Sequence, residues 1–258
     1  MNDTNRGTPS PGVRHSPVLP QSHDPSAHTM RDIFGELYAH DAWKLFPGGD
    51  GVSGPASRSG SGSDLTQTAT LRRELPRLLS RLGVRSLLDI PCGDFYWMSE
   101  VELGVERYLG ADVVPEVVEH NNQRFARPGR EFRVLDITRS QLPRVDLVFS
   151  RDCLVHFSDT DVRAALDNVQ RSGSTYFAAT TFTDRATNAA DITTGGWRSL
   201  NLCRPPFSLP PPLHVIREDC TEFFAPEAHG EAVEHRFPDK SLAIWPTLTL
   251  HPPRGEHP

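Results

Sequence analysis

The chain has 258 residues, with 27 Lys and Arg against 33 Asp and Glu, a formal charge of −6 with histidine neutral. That length suits one domain with at most an appendage, and an apolar share of 37%, about 44% once the 19 glycines are counted, is enough for a sizeable core. Net acidity without a basic patch argues against nucleic acid as a partner, because phosphate backbones are gripped by clustered cations.

No apolar run approaches the roughly eighteen residues of a membrane span. The first thirty residues lack a secretory apolar stretch and carry Asp3 and Asp24, so a cytoplasmic protein is expected. Cys92, Cys153, Cys203 and Cys220 form no C-x-x-C pair, which signals neither a zinc site nor a disulfide framework.

Residues 1–30 are rich in Pro, Ser, Asn and His with almost no periodic apolar signal, and a disordered arm is predicted. From Arg31 to Phe46, Ile33, Phe34, Leu37, Tyr38 and Trp43 have helical spacing; Pro47-Gly48-Gly49-Asp50 stops that helix, and Ser59-Gly60-Ser61-Gly62-Ser63 reads as a linker. A second helix is predicted from Asp64 through Leu71, Leu75, Leu78, Leu79 and Leu82 to Gly83, with Pro76 implying a kink or a late start.

Buried strands are then predicted at 86–90, 107–112, 132–136, 145–150 and 175–182, with helices at about 95–103, 115–126 and 159–171 between them. This alternation predicts an α/β fold, a doubly wound, Rossmann-like, mostly parallel sheet. Strands at 213–217 and 241–248 complete seven and are expected to form an antiparallel edge, before a loose tail at 251–258. The division is thus an arm at 1–30, a helical lid with a Ser/Gly loop at 31–82, and a catalytic domain at 83–250. Inside the last, a proline-rich insert at 183–212 is expected to act as a second lid over the acceptor pocket.

Leu87-Leu88-Asp89-Ile90-Pro91-Cys92-Gly93-Asp94-Phe95 is a strand ending in an acid, then a tight turn, then a predicted helix. Ligands in such sheets sit beyond the carboxyl ends of the strands. The turn is not G-x-G-x-x-G: Pro91 and Phe95 stand where a dinucleotide pyrophosphate needs room, which suits a ligand without phosphate. Asp112 ends the second strand, where a carboxylate can accept from both hydroxyls of a ribose, at about 1.5–3 kcal/mol per charge-assisted bond. Asp136 ends the third and can accept from an adenine amino group. Three acids at successive strand ends describe a nucleoside site.

LLDIPCGDF, YLGAD, LDIT and DLVFSRDCLVHF together resemble the motif series of class I S-adenosylmethionine-dependent methyltransferases, over about residues 70–182. The usual first motif of that family is D-x-G-x-G-x-G; here Asp89 and Gly93 remain, while Pro91 and Phe95 replace glycines. SGSGS with Trp43, PCGDFYWM and GGWRSLNL also resemble segments of a bacterial subgroup. The resemblance implies S-adenosylmethionine as cofactor. It places Asp89 with Cys92 and Gly93 at the methionine end, Asp112 and Val113 at the ribose, Asp136 and Ile137 at the adenine, and Arg151 and Asp152 on the border of the cofactor.

Methyl transfer needs alignment and exclusion of water, plus a base where the nucleophile is a hydroxyl. His156, with a reference pKa of about 6.5, is the candidate base, and Asp152 is the other candidate catalytic residue. Trp197, Arg198 and Asn201 of the insert are the candidate acceptor contacts. Phe95, Tyr96 and Trp97 could face a sulfonium, or simply pack. No metal is expected. The reaction expected is O-methylation of a small molecule, such as a sugar or secondary metabolite. A non-catalytic cofactor-binding protein and methylation of a protein or amine are the alternatives, and an NAD-dependent oxidoreductase shares only the sheet.

Overall fold

A computed structural model gives the fold and describes residues 29–40, 57–224 and 233–250. The predicted arm up to residue 28, Trp43 and the tail from 251 lie outside the described residues, as does the end of the first predicted helix.

The elements follow the hydrophobic pattern closely. Helix α1 (Met30–Ala39) starts on a capping box, in which the Thr29 hydroxyl accepts from the Asp32 amide and the Asp32 carboxylate returns the bond to Thr29 N. Helix α2 (Ala69–Leu82) buries Leu71, Leu75, Leu78 and Leu79, one stripe at helical spacing, and ends on Gly83 at φ +66°. It begins at Ala69, five residues after Asp64, and Pro76 sits inside the helix, so the proline does not set its start.

Strands β1 (Ser86–Asp89), β2 (Arg107–Asp112), β3 (Arg130–Val134), β4 (Leu147–Ser150) and β5 (Tyr176–Phe182) run parallel. Helices α3 (Pro115–Phe125) and α4 (Asp159–Arg171) lie between β2 and β3 and between β4 and β5. Ser158 caps α4 by accepting from Asp161 N, with Asp159 and Asp161 in its first turn. The helix predicted at 95–103 is absent. Turns and a short 3-10 turn at Met98–Glu100 stand there, because Trp97 and Met98 pack inward while Val101 returns to extended backbone at once.

The C-terminal part holds β6 (His214–Arg217), β7 (Cys220–Phe224), β8 (Val233–Phe237) and β9 (Lys240–Pro246). The sheet order is β3-β2-β1-β4-β5-β9-β6, with β9 antiparallel to both β5 and β6. Strands β7 and β8, which lie between β6 and β9 in sequence, pair separately as a two-stranded ribbon. Alternate residues feed opposite layers, as a pleated sheet requires: Leu87, Leu147, Phe149, Ala178, Leu242 and Ile244 pack toward α2, while Leu88, Val148, Phe177, Ala179, Ala243 and Trp245 pack toward α4. At about 25 cal/mol per Å² of apolar surface, these two layers dominate the stability.

The insert at 183–212 forms neither helix nor strand, yet it is tightly packed. Leu200, Leu202, Phe207 and Leu209 are buried in the layer shared with α4, and the Trp245 indole N–H donates to Pro210 O at 2.8 Å.

Candidate active site

The order of strands reverses between β1 and β4, and beyond their carboxyl ends lies a cleft of about 980 Å³, counting its open mouth. Its floor comes from the turns after β1, β2 and β4, with Leu135–Ile137 beside them; Met30, Phe34 and Tyr38 of α1 form its roof. Asp89, Cys92, Gly93, Asp112, Val113, Asp136, Ile137, Arg151, Asp152 and His156 all line it, so the structure gathers residues spread over 67 positions of sequence.

The first turn is fastened on both sides, since Ile90 N donates to Phe149 O at 2.8 Å and Cys92 N to Ala111 O at 2.8 Å. Gly93 has φ +53°, and a Cβ there would come within 2.3 Å of the Ser59 hydroxyl, so the missing side chain makes room for Ser59. Phe95 keeps φ +58°, the left-handed conformation for which glycine is usually selected, although it carries a ring. That ring is wedged between Tyr108, Phe125 and Phe132 at centroid distances of 5.1–5.3 Å with the Arg130 guanidinium over it, and this packing holds the backbone where it is. Phe95 therefore faces the core, while Trp97 lines the cleft against Phe149 and beneath Arg151.

Asp89 and Asp112 are both 3% exposed. Burial pushes the Asp89 carboxyl up to about 7, with Asp112 adding to the rise against the Tyr108 hydroxyl that donates to it and the charge of Arg151. Asp112 is pushed up to about 6 by burial, although it accepts from Val114 N at 3.0 Å and Gly93 N at 3.2 Å. Two desolvated carboxyls at the rim of an apolar cleft are acceptors that a ligand's ammonium and hydroxyl donors would bring into full ionisation, so the donor set fits an aminoacyl nucleoside.

Asp136 differs. Its Oδ1 accepts from Thr138 N and Oγ1 at 2.8 and 2.6 Å and its Oδ2 pairs with Arg139 at 2.8 Å, so its carboxylate caps its own turn and an adenine amino group would have to share it. Ile137, Leu135 and Phe157 supply the apolar walls nearby.

Arg151 is buried. It pairs with Glu218 at 2.7 Å and Asp152 at 3.0 Å, and donates to Gly62 O at 2.9 Å. Asp152 also receives Lys240 Nζ at 2.9 Å; burial would raise its carboxyl, but the charges of Arg151 and then Lys240 hold it down at about 2. A carboxylate so engaged is a poor proton acceptor at neutral pH and serves to fix its surroundings. His156 Nδ1 lies 2.8 Å from the Gly196 carbonyl oxygen, which can only accept. The proton of the neutral ring is therefore on Nδ1, and Nε2 is its acceptor nitrogen.

None of the insert's residues lines the cleft. Trp197 stacks edge-on with Phe182 and tilted against Phe237. Arg198 is fully buried, pairing with Asp159 at 2.6 Å and Asp191 at 3.5 Å and donating to Phe157 O. Asn201 Nδ2 donates to Arg185 O, its Oδ1 accepts from Cys203 N, and its backbone N donates to Asn188 Oδ1. All three hold the insert in place, Trp197 by its ring contacts and Arg198 and Asn201 by bonds within the insert, to the Phe157 carbonyl and to the start of α4.

Sequence reading expected 31–82 as a helical lid with a Ser/Gly loop, which is where Phe34 and Tyr38 of the roof and Ser59 and Ser63 of the rim lie, but it left Met30 in the arm and missed it. It also missed Lys240, whose only signal was its rarity, since Lys44 is the other lysine of the chain. Among the described residues no group of three or more His, Cys, Asp and Glu could hold a metal ion, and no helix is long and apolar enough to cross a membrane.

A family model described as a methyltransferase domain matches residues 87–173, from β1 to just beyond α4. No curated protein matches the chain in sequence. Among solved structures, 1,6-didemethyltoxoflavin-N1-methyltransferase from Burkholderia thailandensis, with its namesake ligand and S-adenosylhomocysteine bound, aligns with a TM-score of 0.51 at 14% identity. That alignment covers 93% of this chain and 97% of that one. N-methyltransferase NodS from Bradyrhizobium japonicum WM9 aligns with a TM-score of 0.46 at 18% identity, over 71% and 98%. The methyltransferase domain of bacterial CtHen1 gives 0.40 at 13% identity over 45% of this chain and 66% of that one, so the chain spans about two thirds of its length. At these identities the likeness concerns the fold.

Proposed function

We propose that this chain, a class I S-adenosylmethionine-dependent methyltransferase, methylates a hydroxyl of a small-molecule acceptor held under α1. The observation that carries this reading is the pair of buried carboxyls, Asp89 and Asp112, at adjacent strand ends of an apolar cleft whose far wall holds His156. When bound, the cofactor supplies an electrophilic methyl on a sulfonium with a good leaving group. Asp89 then accepts from its amino end and Asp112 from its ribose hydroxyls.

The chain's remaining work is positioning and proton removal. Met30, Phe34, Phe157 and Trp97 keep water away from the reacting atoms. His156 Nε2 takes the proton of the acceptor hydroxyl as its oxygen attacks, while Gly196 O steadies Nδ1–H and the resulting imidazolium. The carboxylate of Asp152, locked by Arg151 and Lys240, lies close enough to His156 to feel its charge and favours that imidazolium. A heteroaromatic N–H is a second acceptor reading, because the same base would accept its proton and the aromatic walls would hold a flat ring.

Isothermal titration with S-adenosylhomocysteine tests the cofactor half, and absence of binding at high micromolar concentration would refute it. For the base, His156→Ala should lower turnover by about 10²-fold with cofactor affinity nearly intact. Unchanged turnover in that variant removes His156 from the mechanism.

A further inference from the structure

We propose that Asp94 is a positioning residue that docks the Ser57–Ser59 segment on the cofactor turn, and so sets Ser59 and Tyr38 over Gly93 at the methionine end of the cleft. The inference rests on the reading of that cleft as the S-adenosylmethionine site.

The Asp94 carboxylate collects donors from a segment some 35 residues away. Ser57 Oγ donates to its two oxygens at 2.9 and 3.1 Å, Arg58 N to Oδ2 at 2.6 Å, and Ser59 Oγ lies 3.3 Å from Oδ1. The backbone joins in, since Asp94 N donates to Ser59 Oγ at 3.0 Å. Only one donor is local, Tyr96 N at 3.2 Å.

An aspartate serving simply to cap its own turn would be satisfied by that last bond. Among the described residues, three of the four donor groups come from residues 57–59, so the carboxylate's main effect is to hold that segment. Ser59 then occupies the space that a side chain at residue 93 would fill, and passes the fixation on, with the Tyr38 hydroxyl 2.8 Å from Ser59 Oγ. Through Ser59, one carboxylate couples the first turn after β1 to the roof helix α1. Arg151 holds the other end of the same segment through Gly62 O. A group bound between Gly93 and the roof would have to displace this chain of contacts or be enclosed by it; Ser57, fully buried, anchors the segment, while Arg58 is exposed and Ser59 stays half-buried at the cleft.

The test measures S-adenosylhomocysteine affinity by titration and KM for each substrate. Wild-type protein comes first, since failure to bind there would overturn the cofactor reading and not this inference. If the wild type binds, Asp94→Ala should weaken cofactor affinity by about tenfold or more, as loss of charge-assisted bonds predicts, with acceptor KM changed less than about twofold. Ser59→Ala should weaken it in the same direction, and the double variant should be little worse than Asp94→Ala alone, because both changes break one contact chain. Asp94→Asn, which keeps an acceptor oxygen, should fall between. Cofactor affinity within twofold of wild type in Asp94→Ala, or fully additive losses in the double variant, would overturn the proposal. Should Asp94→Ala fail to fold, Ser57→Ala and Ser59→Ala decide: unchanged cofactor affinity in both counts against it.

Discussion

Asp112 illustrates how a residue's environment sets its use. In water its carboxyl would be ionised at neutrality without cost; three-per-cent exposure in an apolar cleft makes the charge expensive until donors arrive. Cofactor binding should therefore release protons. Ionised Asp89 and Asp112 are the better acceptors, and their carboxyls are pushed up to about 7 and about 6. Affinity for S-adenosylhomocysteine is thus expected to rise between pH 5 and pH 8, by up to about tenfold per unit for each group still protonated, in titrations repeated across that range. In Asp112→Ala the affinity at pH 8 should drop by about a hundredfold or more, the worth of charge-assisted bonds to two hydroxyls at about 1.5 kcal/mol or more each. Phe95 teaches a different lesson at this scale. Its identity suggests a turn unlike the glycine-rich one, but the backbone keeps the left-handed conformation because four neighbours hold the ring.

Among the elements, the insert at 183–212 departs furthest from its expected role. Length and prolines suggested a lid, whereas its buried leucines and Phe207 make it a layer of the core, and its Gly196 carbonyl orients His156 from behind. Arg198 is the anchor of this arrangement. Replacing it with Met should cost about 2–3 kcal/mol in urea unfolding, through the lost bonds to Phe157 O, Ala190 O and Asp159, while KM for both substrates stays near wild type. A raised acceptor KM without loss of stability would instead make Arg198 an acceptor contact. Helix α1 does the covering that the insert does not, because its Phe34 and Tyr38 face the cleft while Leu37 is buried against the body of the protein.

For the whole molecule, the buried acids shape stability as well as binding. Asp89 and Asp112 are raised in the folded state, so the unfolded chain holds fewer of their protons above about pH 4, and stability declines as pH climbs from there through about 6 to 7. Asp152 is lowered to about 2, so its contribution is present above the ordinary carboxylate range near 4 and is lost as pH falls toward 2. The thermal midpoint of ligand-free protein, followed by calorimetry from pH 3 to pH 8, should accordingly fall across pH 4–7. In Asp112→Asn the decline should be shallower.

Hydrophobic periodicity by itself determined the sheet. Short continuous apolar runs, alternating with amphipathic helices, have few ways to be buried on both faces, and the parallel strands β1 to β5 with the antiparallel pair at the edge follow from that. Acids at the ends of β1 and β2 were legible for the same reason, since a strand's end is fixed once its apolar run is. Which partners those acids and their neighbours meet was decided only in three dimensions. Ser59 over Gly93, Lys240 on Asp152 and the Gly196 carbonyl behind His156 join positions 34, 88 and 40 residues apart, and no local pattern encodes a contact that exists only after distant segments have been packed together.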